Sequence, residues 1–271
     1  MSESILPLLV EADDLEPLIQ DERIRIIDLC KLDTYQRFHI PGATHLDYPR
    51  IISVKRPAMG LAPDDEILED VISSLGITPE HHVVAYDDEG GGRASRFLWT
   101  LELAGHEQFS LLNGGLHAWA NEGHPMDNTP VNISPSSYHV HRNDTPLASR
   151  EYVLQHLEDP DTQLLDVRSA DEFLGRRRFA ERAGHIPGAV NMEWTQAIDQ
   201  QRNMRFKPDE ELLQLIESTG ISKGKEVITY CQTHHRSAHT YIVLKHLGFK
   251  RIRGYSGSWS EWGNQPDLPV E

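Results

Sequence analysis

The chain reads as an α/β protein built from two homologous domains, each a mainly parallel sheet flanked by helices. Three observations predict this. Short apolar runs rich in β-branched residues alternate with amphipathic runs that close on glycine, the pattern of βα units. The pentapeptide HIPGA occurs twice, at His39–Ala43 and at His185–Ala189. Arg93 to Gly105 has the same internal spacing as Arg236 to Gly248, and the segments before those arginines match as well, with the register slipping by a single position at the loop between. The chain is one unit written twice.

In order, IRIIDL (Ile24–Leu29) is an apolar strand carrying Asp28, and its counterpart is QLLDVR (Gln163–Arg168) with Asp166. HIPGA follows each. DDEILEDVISSLG (Asp64–Gly76) places Ile67, Leu68, Val71, Ile72 and Leu75 on one helical face; PDEELLQLIESTG (Pro208–Gly220) does the same with Leu212, Leu213 and Ile216. Both helices open with acids and close on Gly. VVAY (Val83–Tyr86) and VITY (Val227–Tyr230) are the next strands, and each leads through a loop into a helix. LNGGLHAW (Leu112–Trp119) then aligns with YSGSWSEW (Tyr255–Trp262). The Pro-, Ser- and Asn-rich stretch around Gly123 to Pro146 is the junction. The expected domains are 1–125 and 146–271, joined by a linker over 126–145.

The halves differ at one place. Where the first half has DDEGGGR (Asp87–Arg93), the second has CQTHHR (Cys231–Arg236), one residue shorter. Cys231 stands at the carboxyl end of a strand and faces the first turn of the next helix, where unpaired backbone N–H groups and the helix dipole favour an anion. That setting lowers a thiol pKa and makes a nucleophile. In open α/β sheets ligands bind at this edge.

A formal charge of −16 excludes a nucleic-acid or anionic-membrane surface. Two cysteines, Cys30 and Cys231, are too few for a disulfide framework and point to a reducing compartment. The opening MSESILPLLVEADD lacks a basic n-region, and no apolar run is long enough to span a bilayer. Cytoplasm is the expected location.

With the paired HIPGA segments, the tandem halves and the strand–Cys-loop–helix in place, the chain resembles the two-domain rhodanese-type sulfurtransferases over nearly its whole length. CQTHHRS resembles the active loop of the Azotobacter-type bacterial rhodaneses. In tandem members only the second domain keeps the cysteine, as here. The resemblance implies a two-step transfer without a cofactor: the Cys231 thiolate takes the outer sulfur of thiosulfate, releases sulfite, and passes the sulfur from a covalent persulfide to cyanide or another thiophile, a protein sulfur acceptor included. Gln232, Thr233, His234 and His235 form the active loop, whose N–H groups are expected to converge on the persulfide. Arg236 is expected to pair with a loop carbonyl or with thiosulfate oxygens, for which its planar fork suits. His234 and His235 add charge when protonated. Because the duplication already supplies two packed domains, a monomer is expected.

Alternatives stay open. A mercaptopyruvate sulfurtransferase needs arginines for the substrate carboxylate before the second HIPGA; Arg176, Arg177, Arg178 and Arg182 stand there, and Arg178 fits the spacing best. Against this, the loop interior has no glycine, which those enzymes and eukaryotic rhodaneses usually carry. Cysteine-dependent phosphatases and arsenate reductases place five residues between Cys and Arg; here four intervene, which shrinks the ring to sulfur size. A non-catalytic sulfur-carrier module describes the first half better than the whole. Cys231, His234 and His235 are too cramped to share one zinc, and no metal is expected. Cys30, and His39 and His185 of the repeated turns, read as structural, as do Trp259 and Trp262.

Overall fold

A computed structural model describes residues 4–271; the first three residues of the amino-terminal stretch read for a leader lie outside them. The chain divides into two units. The first comprises the residues up to Ile51, Pro63–Asn143 and Asp199–Phe206; the second comprises Ile52–Ala62, Asp144–Ile198 and Lys207–Glu271. Each unit therefore borrows a short segment from the other half of the sequence.

The sheet of the first unit has five parallel strands in the order Leu9–Val10, Phe109–Leu112, His82–Tyr86, Ile24–Asp28 and Thr44–His45. The second repeats that order with Leu147–Ala148, Ile252–Tyr255, Glu226–Tyr230, Thr162–Asp166 and Val190–Asn191. The fold class predicted from the alternating pattern is the one observed. The central strands are buried at every residue, as expected of parallel strands covered on both faces. The amphipathic segments become the helices Asp65–Ser74 and Asp209–Ser218, which bury Leu68, Val71 and Ile72 and Leu212 and Ile216, while Ile67, placed on the same face by the sequence, is exposed. Gly92–Leu103 and Arg236–His246 are the helices that follow the two loops.

The repeated pentapeptide builds a turn in both units. Ala43 N–H donates to Ile40 O at 3.0 Å and Ala189 N–H to Ile186 O at 3.1 Å. Gly42 and Gly188 take φ of 81° and 75° behind a proline, the geometry of a type II turn that only glycine fills at no cost. Nδ1 of His39 bonds Tyr35 O at 2.7 Å, and Nδ1 of His185 bonds Phe173 O at 2.9 Å. Both rings stack on an aromatic, Tyr35 and Phe173. The turn N–H of Ile40 and of Ile186 donates to a tyrosine hydroxyl at the end of each central strand, Tyr86 and Tyr230. These contacts give HIPGA a structural part in both halves.

The borrowed segments are held by specific contacts. In the first unit Arg205 pairs with Glu11 and Glu122, and Phe206 N–H donates to Asn113 Oδ1 at 2.8 Å. In the second unit the hairpin Ser53–Lys55 with Ala58–Leu61 sends Met59 N–H to Ser260 Oγ at 3.0 Å.

Candidate active site

Cys231 follows directly on the central strand Glu226–Tyr230 and is fully buried. The loop it opens is fastened by the short helix Ser258–Trp262. Ser258 Oγ accepts from Cys231 N–H at 3.3 Å and from His234 N–H at 3.1 Å, and donates to Tyr255 O at 2.7 Å. Trp259 and Ser260 N–H donate to the carbonyls of Cys231 and Gln232 at 2.9 and 3.0 Å. A loop of four intervening residues is thus tied at both backbone ends.

Burial by itself pushes the Cys231 thiol up. The Arg236 guanidinium, the Ser237 hydroxyl and the N–H groups of Ser237 and Thr233 outweigh it and bring the thiol down to about 7. Not every loop amide serves the sulfur: that of His234 goes to Ser258 instead. Arg236 differs from the expectation of a loop carbonyl. It makes a two-pronged ion pair with Glu172, with NH1 to Oε2 at 2.7 Å and NH2 to Oε1 at 2.9 Å. Burial pushes the Glu172 carboxyl up, but this fork and the Ser169 cap hold it well below the carboxylate range, at about 2. Ser169 and Glu172 form a capping box on the helix Ala170–Phe173, so a helix start fixes the carboxylate that fixes the arginine.

His234 is buried and takes φ of 54°, and its Nδ1 lies 2.7 Å from Ser237 Oγ. Ser237 Oγ lies 3.5 Å from Cys231 Sγ. His235 and His239 lie against Trp194, with ring centroids 6.2 and 5.1 Å away. Gln232 Nε2 donates to Phe179 O at 3.2 Å, which joins the loop to the arginine-rich segment. Within that segment Arg178 is exposed and donates to Glu181 O, Arg176 pairs with Asp171, and Arg182 clasps the carbonyls of Trp262, Gln265 and Leu268. Arg182 is therefore engaged structurally, while Arg176–Arg178 face solvent. Cys30 donates its N–H to Asp28, and burial together with Asp28 raises its thiol far out of the nucleophilic range.

The first unit shows what the loop becomes without sulfur. The Asp87 carboxylate folds back into its own loop, accepting from Glu89 and Gly91 N–H at 2.9 and 2.8 Å and from Ala94 N–H at 2.9 Å. Its own side chain fills the place an anion would take. Burial and the neighbouring Glu89 raise its pKa against those three bonds.

Sequence reasoning passed over Glu172, Ser237, Ser258 and the hairpin glycine Gly60. Glu172 carried a visible signal, the S-x-x-E of a capping box. Gly60 carried none, because it comes from the other half of the chain. A Cβ at Gly60 would meet the Thr233 carbonyl oxygen at 2.1 Å, a backbone atom that cannot step aside. Gly60→Ala is expected to displace the Thr233 peptide, cost roughly 1–3 kcal/mol of stability, and slow alkylation of Cys231; thermal unfolding and iodoacetamide kinetics measure both, and an unchanged alkylation rate would contradict it.

Comparison with known proteins places this geometry. A rhodanese-like domain profile matches residues 11–122 and again 149–265. Thiosulfate sulfurtransferase of Pseudomonas aeruginosa is 44% identical over 270 residues, 99% of this chain and 98% of that protein. Thiosulfate sulfurtransferase of Azotobacter vinelandii is 43% identical over 266 residues, 98% and 97% of the two chains. The sulfur carrier protein TtuD of Thermus thermophilus is 33% identical over 277 residues, 97% and 96%. Among solved structures, the anaerobic ergothioneine biosynthesis enzyme of Chlorobium limicola superposes with a TM-score of 0.87 at 24% identity, covering 97% of this chain and 70% of that one, a likeness of fold. With two matched copies of the domain and full-length relatives at 44% and 43% identity, the chain belongs to the rhodanese-like family as a tandem-domain member.

Proposed function

We propose that this chain is a thiosulfate sulfurtransferase that carries sulfane sulfur on Cys231. The observation that carries the reading is a buried thiol held at about 7 by Arg236 and Ser237, at the head of a ring of four intervening residues. The two near relatives named thiosulfate sulfurtransferase support the choice of donor. The Cys231 thiolate attacks the outer sulfur of thiosulfate; the S–S bond breaks and sulfite leaves with its electron pair. The persulfide anion stays beside Arg236 and the N–H groups of Thr233 and Ser237. The lone pair of cyanide, or of another thiophile, then takes the outer sulfur and returns the thiolate. No cofactor enters either step, and a monomer suffices. Arg178 and its exposed neighbours form the approach for the anionic donor, and the cytoplasm supplies the reducing setting a free thiol needs. Among the described residues no helix is long and apolar enough to cross a membrane.

The relative named as a sulfur carrier favours a protein acceptor as a second route for the outgoing sulfur. The test compares thiosulfate and mercaptopyruvate at equal concentration with cyanide as acceptor. Thiosulfate is expected to turn over faster, and intact-protein mass spectrometry is expected to show one added sulfur atom after thiosulfate alone. Faster turnover of mercaptopyruvate would reassign the donor; release of phosphate from an aryl phosphate would overturn the transferase reading.

A further inference from the structure

We propose that His234 acts through Ser237 as a positioning residue that aims a hydroxyl hydrogen bond at the Cys231 sulfur. The proposal rests on the reading of Cys231 as the sulfur carrier and adds a role to two residues of its loop. The first observation is conformational. His234 occupies the left-handed region at φ 54°, a conformation that costs free energy for any residue but glycine, although histidine, like asparagine and aspartate, is met there more often than most. The equivalent position of the first half, counted back from the paired arginines, is Gly91, with φ of 96°. The loop headed by Asp87 uses glycine, which fits at no cost; the loop headed by Cys231 keeps an imidazole there. Strain retained at one loop position points to work done by the side chain.

The second observation is the chain of contacts. The imidazole is fully buried, with Nδ1 at 2.7 Å from Ser237 Oγ, and that oxygen is 3.5 Å from Sγ. A serine hydroxyl has one proton. If it donates to sulfur, it must accept from Nδ1–H, so satisfying both contacts fixes the tautomer of His234 and the direction of the hydroxyl. No proton changes owner: the sequence Nδ1–H to Oγ–H to S⁻ orients the hydroxyl onto the thiolate. The third observation is again the duplication, for Ala94 stands where Ser237 does. At these two positions histidine and serine accompany Cys231 in the second loop, and glycine and alanine accompany Asp87 in the first.

The other charged and titratable groups around this chain are Arg236 with Glu172, the Asp166–Arg168 pair on the neighbouring strand and its turn, and His235 and His239 against Trp194. They remain in every variant below, so a change in the thiol reports on the His234–Ser237 contact.

The experiment measures the thiol pKa in the full-length chain, from the pH dependence of iodoacetamide alkylation and of thiolate absorbance, in the parent, His234→Ala, Ser237→Ala, the double variant and His234→Asn. His234→Ala and Ser237→Ala are each expected to raise the thiol pKa by about half to one unit, which is about three- to tenfold less thiolate at pH 6. The double variant should shift no further than the larger single one, because both break one chain of bonds. His234→Asn should restore the parent value: asparagine accepts positive φ and offers an amide N–H near the place of Nδ1–H. Ser237→Ala has its counterpart in Ala94 and keeps the proposal testable if His234→Ala does not fold. An unshifted pKa in Ser237→Ala or His234→Ala, fully additive shifts, or a His234→Asn variant that behaves like alanine would each overturn the relay. These readouts need no sulfur donor, so they fail or succeed independently of whether the parent takes up sulfur from thiosulfate.

Discussion

Cys231→Ala is expected to lose sulfur transfer from thiosulfate to cyanide by at least about 10⁴-fold, the scale on which enzymes lose rate when a covalent nucleophile is removed. The loss should be near complete because nothing can take over. The other cysteine, Cys30, is buried beside Asp28, and its thiol is held in the neutral form at any ordinary pH. The Asp87 carboxylate is engaged by three N–H groups of its own loop. The fold should survive. The loop is tied by Ser258 Oγ and by the amides of Trp259 and Ser260, none of which uses the sulfur, and Arg236 keeps Glu172. Removing a small buried atom then costs about 1 kcal/mol or less beyond what is regained by no longer burying an anion. Intact mass after thiosulfate treatment measures the outcome: an alanine variant that still gains a sulfur atom would show that Cys231 is not the carrier.

The parts of this molecule that follow from local chemistry were readable in the sequence. Strand and helix alternation, the paired turns and the thiol at a strand end depend on residues within a few positions of one another, so Ile24–Leu29, HIPGA and CQTHHR could be interpreted without coordinates. Glu172 and Gly60 act through partners far along the chain, Arg236 and Thr233, and no periodicity encodes such contacts. Ser258 is instructive because the signal existed and pointed elsewhere. At φ of 49° it stands where the first half has Gly115 at 52°, and a serine among glycines and tryptophans reads as a turn residue. Its hydroxyl serves three backbone groups at once, two on the thiol loop and one on the preceding strand, and that use outweighs the strain of its backbone. The exchange of Ile52–Ala62 and Asp199–Phe206 between units was hidden for the same reason: the ion pairs of Arg205 with Glu11 and Glu122 join residues far apart in the chain.

Arg236→Ala should raise the Cys231 thiol pKa by about two units or more and slow sulfur loading at pH 7 by about 10²-fold, with the defect shrinking as pH rises. The sign follows from the balance at the sulfur. Burial raises the thiol; the guanidinium is the largest of the influences that lower it, and without it burial prevails. In the parent, with the thiol at about 7, half the molecules hold a thiolate at pH 7, and loading climbs through that pH to a plateau above it. A two-unit rise leaves about one molecule in a hundred ionised, a loss of roughly fiftyfold. A more basic thiolate is also a better nucleophile, which returns roughly a factor of eight. Ionisation alone therefore gives less than tenfold, and the remainder must come from losing a fixed cation where the persulfide anion forms, worth about ten- to a hundredfold in a water-poor site. Near pH 9 the ionisation part has shrunk to about twofold while the electrostatic part stays, so the pH profile separates them. The same substitution strands the Glu172 carboxylate, whose side chain is 5% exposed, at a stability cost of roughly 2–4 kcal/mol. In the parent, the stability that Glu172 contributes is complete above its unfolded pKa, near 4.5, and is lost as pH falls towards 2; in Arg236→Ala that acid-side dependence should flatten. Glu172→Gln gives the opposite sign at the sulfur: freed from its counter-charge, Arg236 should hold the thiol at or below its parent value. If Arg236→Ala and Glu172→Gln moved the thiol in the same direction, Arg236 would be serving the fold and not the sulfur.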